Sequence, residues 1–330
     1  MNIRFVASAV VTLLLSPCVP CQQILQVSDE AGLPVRVSAD AGVAFKKKLM
    51  QRIALEEEAV RKLESRHSTN VELSRNYMQL GLLYQDVAEW NRSETVLEHA
   101  VSLVRPEPSE DLAAAMSRLG GLHVLMGKFR QSEKEEQEAL KLRLNLGDRL
   151  QIARSWNDLA VLYLLRQKYA KARDFAQQAE AEFAIDAQAN LADKMSARVA
   201  LSVALCYLKE CPSAIPLLKA TLEDVKAKLQ PNDFPYGIST FLLGYAYWKS
   251  GNMAEAEEYL ERGTTLMSAQ LGWGHPAYLK ALGQYAKFLR ENQRLEGANV
   301  VEHKIRQAEA VVDVHTLQTG QGVFSFNGPR

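Results

Sequence analysis

A small residue, Gly or Ala, returns six times along this chain at nearly even steps, each time inside the same apolar frame. The segments are Leu80-Gly81-Leu82-Leu83-Tyr84, Leu119-Gly120-Gly121-Leu122-His123, Leu159-Ala160-Val161-Leu162-Tyr163, Val203-Ala204-Leu205-Cys206-Tyr207, Leu243-Gly244-Tyr245-Ala246-Tyr247 and Tyr285-Ala286-Lys287-Phe288-Leu289. With the small residue at 81, 120, 160, 204, 244 and 286, the steps are 39, 40, 44, 40 and 42. A second apolar series follows each segment at spacings of three and four, the period of one helical face. Ser93, Leu97 and Ala100 carry it in the first unit. Tyr169, Ala172, Ala176 and Ala179 carry it in the third, and Ala256, Leu260 and Gly263 in the fifth. The small residue lets the second helix come close, and the large residue beside it fills the gap. One such helix pair cannot bury both of its faces, so neighbouring pairs must stack. The chain is therefore expected to be all-α, a solenoid of about six antiparallel helix pairs.

Composition agrees and removes some functions. Hydrophobic residues make up 47% and charged residues 24% of 330 positions, which suits a soluble folded chain. Basic and acidic residues number 39 each, and a net charge of zero lacks the positive excess of a nucleic-acid binder. The start reads as a secretory signal peptide over 1–21: Arg4, an uncharged run from Phe5 to Leu15, and small residues Val19 and Cys21 before Gln22. That run is too short to span a bilayer. Acylation at Cys18 or Cys21 is the rival reading, although Pro17 spoils the lipobox, and an uncleaved anchor is a third. Cys206 and Cys211 remain. Export would permit a disulfide, but the preferred reading makes Cys206 a small core apolar and Cys211 a loop residue. Without His partners they do not suggest zinc.

Trp156-Asn157-Asp158-Leu159-Ala160-Val161-Leu162-Tyr163 resembles the first helix of the tetratricopeptide repeat, W-x2-L-G-x2-Y. The longer period, with Leu271-Gly272-Trp273-Gly274-His275-Pro276 before the last unit, is similar to the kinesin-light-chain-like subclass. The resemblance covers Thr69 to Val312 and implies a right-handed superhelix. The fourth unit departs from it, lacking about two residues around Cys211-Pro212-Ser213, where a distorted turn is expected. The sixth lacks a Gly. The implied organisation is a signal peptide 1–21, a flexible linker 22–39 and a capping helix 40–68, then the repeats 69–312 and a loose tail 313–330. Phe45, Leu49, Ile53, Val60 and Leu63 form the apolar side of the cap.

The resemblance further implies a concave groove lined by the first helices, in which a partner peptide lies. Carried over by register, the groove positions are Arg75, Met78, Leu82 and Gln85, then Arg118, then Arg154, Asn157 and Asp158. Arg198 and Leu201 follow, then Phe241, Tyr245, Trp248 and Lys249, and finally Lys287 and Arg290. Guanidinium forks grip carboxylates, and an Asn amide can satisfy an extended backbone. Arg75, Arg154 and Arg198 share one position in this alignment and are expected to form a row. Packing between repeats is the alternative for the aromatic residues.

Enzymatic signatures are missing from the sequence: no GxSxG, no HExxH and no Gly-rich phosphate loop. The six His are scattered, and His123, standing where the repeat has Tyr, reads as a packed core residue. Glu56 to Glu58 and Glu133 to Glu138 read as solvent faces. The function expected is that of an exported scaffold or adaptor without enzymatic activity, cofactor or metal, holding a protein or extended peptide. An ancillary repeat subunit of an envelope enzyme or assembly complex is the second reading.

Overall fold

The first helices of the leading pairs begin on side-chain caps, and the second helices of the first three pairs do not. In the computed structural model, which describes residues 39–66, 68–87, 89–228, 234–271 and 275–319, thirteen helices and no strand are found among the described residues. A capping helix α1 (Ala39–Ser65) precedes the pairs α2 (Asn70–Asp86) and α3 (Trp90–Val104), and α4 (Glu110–Leu125) and α5 (Phe129–Leu146). Next come α6 (Arg149–Leu165) and α7 (Tyr169–Ile185), and α8 (Leu191–Tyr207) and α9 (Cys211–Lys228). The last are α10 (Phe234–Lys249) and α11 (Met253–Leu271), and α12 (Pro276–Glu291) and α13 (Leu295–Thr319). Thr69, Ser109, Asp148 and Asn190 cap α2, α4, α6 and α8, each accepting a backbone N–H three residues on. By contrast α3, α5 and α7 start without a side-chain cap. The turns leading into second helices instead carry a left-handed residue: Gly127, Gln167, Lys209, Gly251 and Gln293.

These two landmarks correct the register of the fourth repeat. The left-handed residue lies seven positions after Gly120, Ala160, Gly244 and Ala286. Seven before Lys209 is Ser202, not Ala204. The N-caps agree, since Gly81 and Ala160 stand twelve residues after Thr69 and Asp148, as Ser202 does after Asn190. The second helices agree too. Sixteen positions after the small residue stand the buried Leu97, Glu136, Ala176 and Leu260, and Leu218 is buried sixteen after Ser202. Ala220, sixteen after Ala204, is exposed. The small positions are therefore 81, 120, 160, 202, 244 and 286, and the last three steps are each 42 residues. No residues are missing near Cys211, and the turn there keeps the ordinary left-handed geometry. The sequence alignment slipped because Val203-Ala204 imitates Leu201-Ser202.

The described residues divide into two compact units, one up to Leu208 and one from Lys209. In the first, α1 lays Leu49, Ile53 and Val60 on Leu80, Leu83 and Tyr84 of α2, as a cap should. The next core joins Leu97, Ala100 and Val104 of α3 to Leu112, Met116 and Leu119 of α4. Gly81 is required by close approach, because a Cβ there would stand 2.7 Å from Leu97. In the second unit the approach is backbone to side chain position: a Cβ on Gly244 would meet the Leu260 nitrogen at 2.6 Å, and one on Gly263 the Phe241 Cα at 2.6 Å.

The helix α13 runs to Thr319, so residues 313–319 are helical and the expected loose tail does not begin at 313. Cys206 and Cys211 are both disulfide-bonded, which overturns their reading as a free core residue and a loop residue. Cys211 is the first residue of α9. Residues 1–21, expected to be a signal peptide, with Cys18 and Cys21, most of the expected linker, and residues 320–330 lie outside the described residues. Among the described helices none is long and apolar enough to cross a membrane.

Candidate protein-binding face

In the first unit each first helix packs on the next, α2 on α4, α4 on α6 and α6 on α8, so their outer sides make one face. Polar rungs cross it from repeat to repeat. Arg75 in α2 donates two bonds to Asp111 in α4, at 2.7 and 3.1 Å. Arg154 in α6 donates in the same manner to Asp193 in α8, at 3.4 and 2.9 Å. Both rungs join the residue six before one small position to the residue nine before the next, once Ser202 is recognised as that position. Asn157 bonds Ser196 across the same junction, at 2.9 Å. The forked geometry matches guanidinium to carboxylate.

The expected row of three arginines is therefore a row of two. Arg198 bonds Glu180 of α7 at 3.4 Å and is largely buried. In the corrected register it stands four before the small position, as Trp156 does, and not six before it as Arg75 and Arg154 do. Arg118 is exposed on α4, and its charge acts on Asp158 of α6.

Beneath this face lies a polar cluster that the sequence did not announce. Glu136 of α5 is only 2% exposed, in the place where other repeats put Leu97 or Leu260, and a Cβ on Gly120 would stand 2.6 Å from its carboxyl. Burial pushes the Glu136 carboxyl well above its usual range, and the neighbouring Asp158 pushes the same way against Arg143 and a bond from Ser117. Asp158 is raised as well, chiefly by burial, against the attraction of Arg143 and Arg118. Arg143, also buried, is held by Glu110 at 2.9 Å and donates to Ser155 at 2.8 Å. Glu133 and Glu135 are likewise engaged, with Tyr163 and His123. The run from Glu133 to Glu138 is thus not the solvent face expected of it. Sixteen-residue register from Gly120 was the signal that could have found Glu136.

The second unit treats its candidates differently. Phe241 and Trp248 are buried, Phe241 against Gly263 and Trp248 edge-on to Phe288 at 5.6 Å. They are packing residues, which corrects their placement in a groove. Tyr245 is half-buried and packs edge-on to Trp248. The Lys249 ammonium sits 3.2 Å from the Trp248 ring centre, and burial lowers its pKa, with Lys287 adding to the effect. Lys287 pairs with Glu291 in its own helix, while Arg290 turns to Glu302 of α13 at 2.6 Å. Met78 and Leu201 are buried in the core.

Stacked helical hairpins with polar rungs between successive first helices define an α-helical repeat protein. Tetratricopeptide-repeat models match residues 111–181 and 240–266, and no curated protein sequence matches the chain. Residues 111–181 and 240–266 are therefore tetratricopeptide repeats, and the fold is that of tetratricopeptide-repeat solenoids, the kinesin-light-chain-like ones among them. Solved structures share its fold at low identity. Nearly identical TPR-like repeats of a putative kinesin light chain from Podosopora anserina are 17% identical, with 61% of this chain and 98% of that one covered and a TM-score of 0.52. BtubC (BKLC) from P. vanneervenii is 20% identical over 68% of this chain and 92% of its own, with a TM-score of 0.58. The Rap conjugation gene regulator of plasmid pLS20, solved with the Phr* peptide, is 15% identical over 85% of this chain and 74% of its own, with a TM-score of 0.58.

Proposed function

We propose that the chain is an exported adaptor without enzymatic activity that holds an extended protein segment along the face made by α2, α4, α6 and α8. The observation that carries this reading is the pair of rungs, Arg75–Asp111 and Arg154–Asp193, with Asn157–Ser196 beside the second. They are polar, partly exposed and repeated in register, so an incoming carboxylate or backbone amide can exchange with groups already held in place. Arg118 adds an exposed cation between them. The peptide-bound Rap regulator supports a segment as the form of partner. Export rests on Phe5 to Leu15 and its flanks.

A photo-crosslinking residue at Asn157 tests the face. It should capture a partner in the native compartment, whereas the same residue at the exposed Gln177 of α7 should not. Capture from Gln177 alone would place binding on the second helices and end this reading. Fractionation tests export: Leu14→Arg should retain the full-length chain in the cytoplasm, and wild-type chain found there with Met1 intact would refute it.

A further inference from the structure

Three successive junctions in the first unit are closed by one device with one substitution. The residue three after the small position bonds a glutamate on the preceding second helix or cap. Tyr84 donates to Glu57 at 2.6 Å, and Tyr163 donates to Glu133 at 2.7 Å. A cation braces each glutamate, Arg92 on Glu57 and Arg166 on Glu133. At the middle junction the phenol is replaced by an imidazole. His123 Nε2 lies 2.9 Å from Glu94 of α3, and its Nδ1 lies 2.7 Å from Glu135 of α5. Lys128, in the turn before α5, braces Glu94.

A carboxylate only accepts hydrogen bonds, so a ring with a carboxylate on each nitrogen must donate twice, and only the imidazolium can. The ring is 2% exposed and ties α3, α4 and α5 together. We propose that His123 makes the junction between the first and second repeats a proton-operated latch, closed by the imidazolium and released when the ring loses its proton.

The charged groups facing the ring are Glu94 from α3, Glu135 from α5 and, through Glu94, Lys128. On deprotonation one ring nitrogen turns acceptor against a carboxylate. Two buried acceptors then face each other, and the carboxylates lose the charge between them. Burial alone would lower the pKa of His123, but the bonds to Glu135 and Glu94 outweigh it and raise it above 6.5. A group raised on folding stabilises fully below its unfolded pKa, and that contribution is lost as pH climbs through the folded value. The latch is therefore closed at acid pH and opens on the alkaline side of 6.5. The Tyr84 phenol, pushed up to about 12 by burial and Glu57, keeps its proton throughout that window. The first junction therefore serves as an internal reference for the second.

Hydrogen exchange on the full chain at about pH 6 and about pH 9, corrected for intrinsic rates, reads the latch directly. Opening of α3 and α4 should rise by about tenfold for each pH unit by which the folded pKa exceeds the free value, while α7 changes little. His123→Tyr, which installs the residue of the flanking junctions, should shrink that response. The imidazole titration of His123, followed by NMR on the wild-type chain, should fall above 6.5. A wild-type titration at or below 6.5, or equal pH response in wild type and variant, overturns the proposal. Should His123→Tyr fail to fold, the wild-type titration and exchange decide alone.

Discussion

At the scale of single residues, what matters is what a side chain at one address would strike. Gly244 faces the backbone of Tyr259 and Leu260, which cannot move aside as a side-chain tip can. Gly244→Ala should therefore lower stability by about 1–3 kcal/mol. Gly121 has nothing within 4 Å of a built Cβ, although it neighbours the equally small Gly120. Gly121→Ala should raise stability by about 0.5–1 kcal/mol, the usual gain inside a helix. Thermal melts of both variants check the pair, and equal signs would refute the packing. Glu136 offers a second residue test. Its folded pKa is raised, so the fold prefers it neutral and loses stability as pH rises from the unfolded value of 4.5 through the folded one. Arg143 keeps Glu110 when Glu136 is changed. Glu136→Gln should then leave stability at acid pH nearly unchanged and gain about 1 kcal/mol or more at about pH 8. Denaturant curves at both pH values would expose a variant that is weaker at high pH, which is the contrary outcome. The glycines could be read from the sequence because they recur. Glu136 could not, because a charged run ordinarily marks a solvated face, and only the address sixteen after Gly120 assigns it to the core.

At the scale of helices, the pattern of caps and left-handed turns decided what hydrophobic spacing had left ambiguous. Periodicity found six first helices and placed five of them correctly, since Leu, Gly and Tyr at fixed offsets leave one alignment. In α8 the stretch Val199 to Leu205, apolar but for Ser202, fits two alignments a pair of residues apart, and Ala204 fits the Gly-or-Ala pattern that Ser202 does not. The error propagated to function, because it put Arg198 in a row with Arg75 and Arg154. The candidate site was thus legible where register was sound. Arg75, Arg154 and Asn157 form rungs between first helices and Arg118 is exposed, but Asp158 belongs to the cluster beneath them, and Phe241 and Trp248 are packing residues because aromatic side chains serve packing and capture with the same spacing. The corrected register makes a prediction. Ser202 takes the place held by Ala160 and Ala286, and its buried hydroxyl has no hydrogen-bond partner. Ser202→Ala should stabilise the chain by about 1 kcal/mol, the order of cost for an unsatisfied buried group. A clear loss in the melting temperature would reopen the assignment.

At the scale of the whole molecule, an array whose pairs touch only their neighbours does not transmit damage far. Stability in such a chain is close to a sum of repeat terms and nearest-neighbour terms. The consequence can be drawn from Gly244, which lies in the second compact unit, in the fifth repeat. A leucine there must displace the backbone of α11, so α10 and α11 should lose much of their protection from hydrogen exchange. Helices α3, α4 and α5 have their own core, from Leu97 and Met116 to Ala139, and share none of those contacts. Gly244→Leu should then accelerate exchange through 234–271 by an order of magnitude or more, since overpacking by about 1–3 kcal/mol corresponds to roughly tenfold or more in an opening constant. Exchange through 110–165 should stay within a factor of about two, as expected of sites far apart with no shared partners. A single cooperative domain would lose protection evenly along its length. Even loss would mean that the two units unfold as one, and that a partner held on the α2–α8 face is coupled to the far end of the chain. Local loss would mean that the proposed binding face and the second unit can be altered separately.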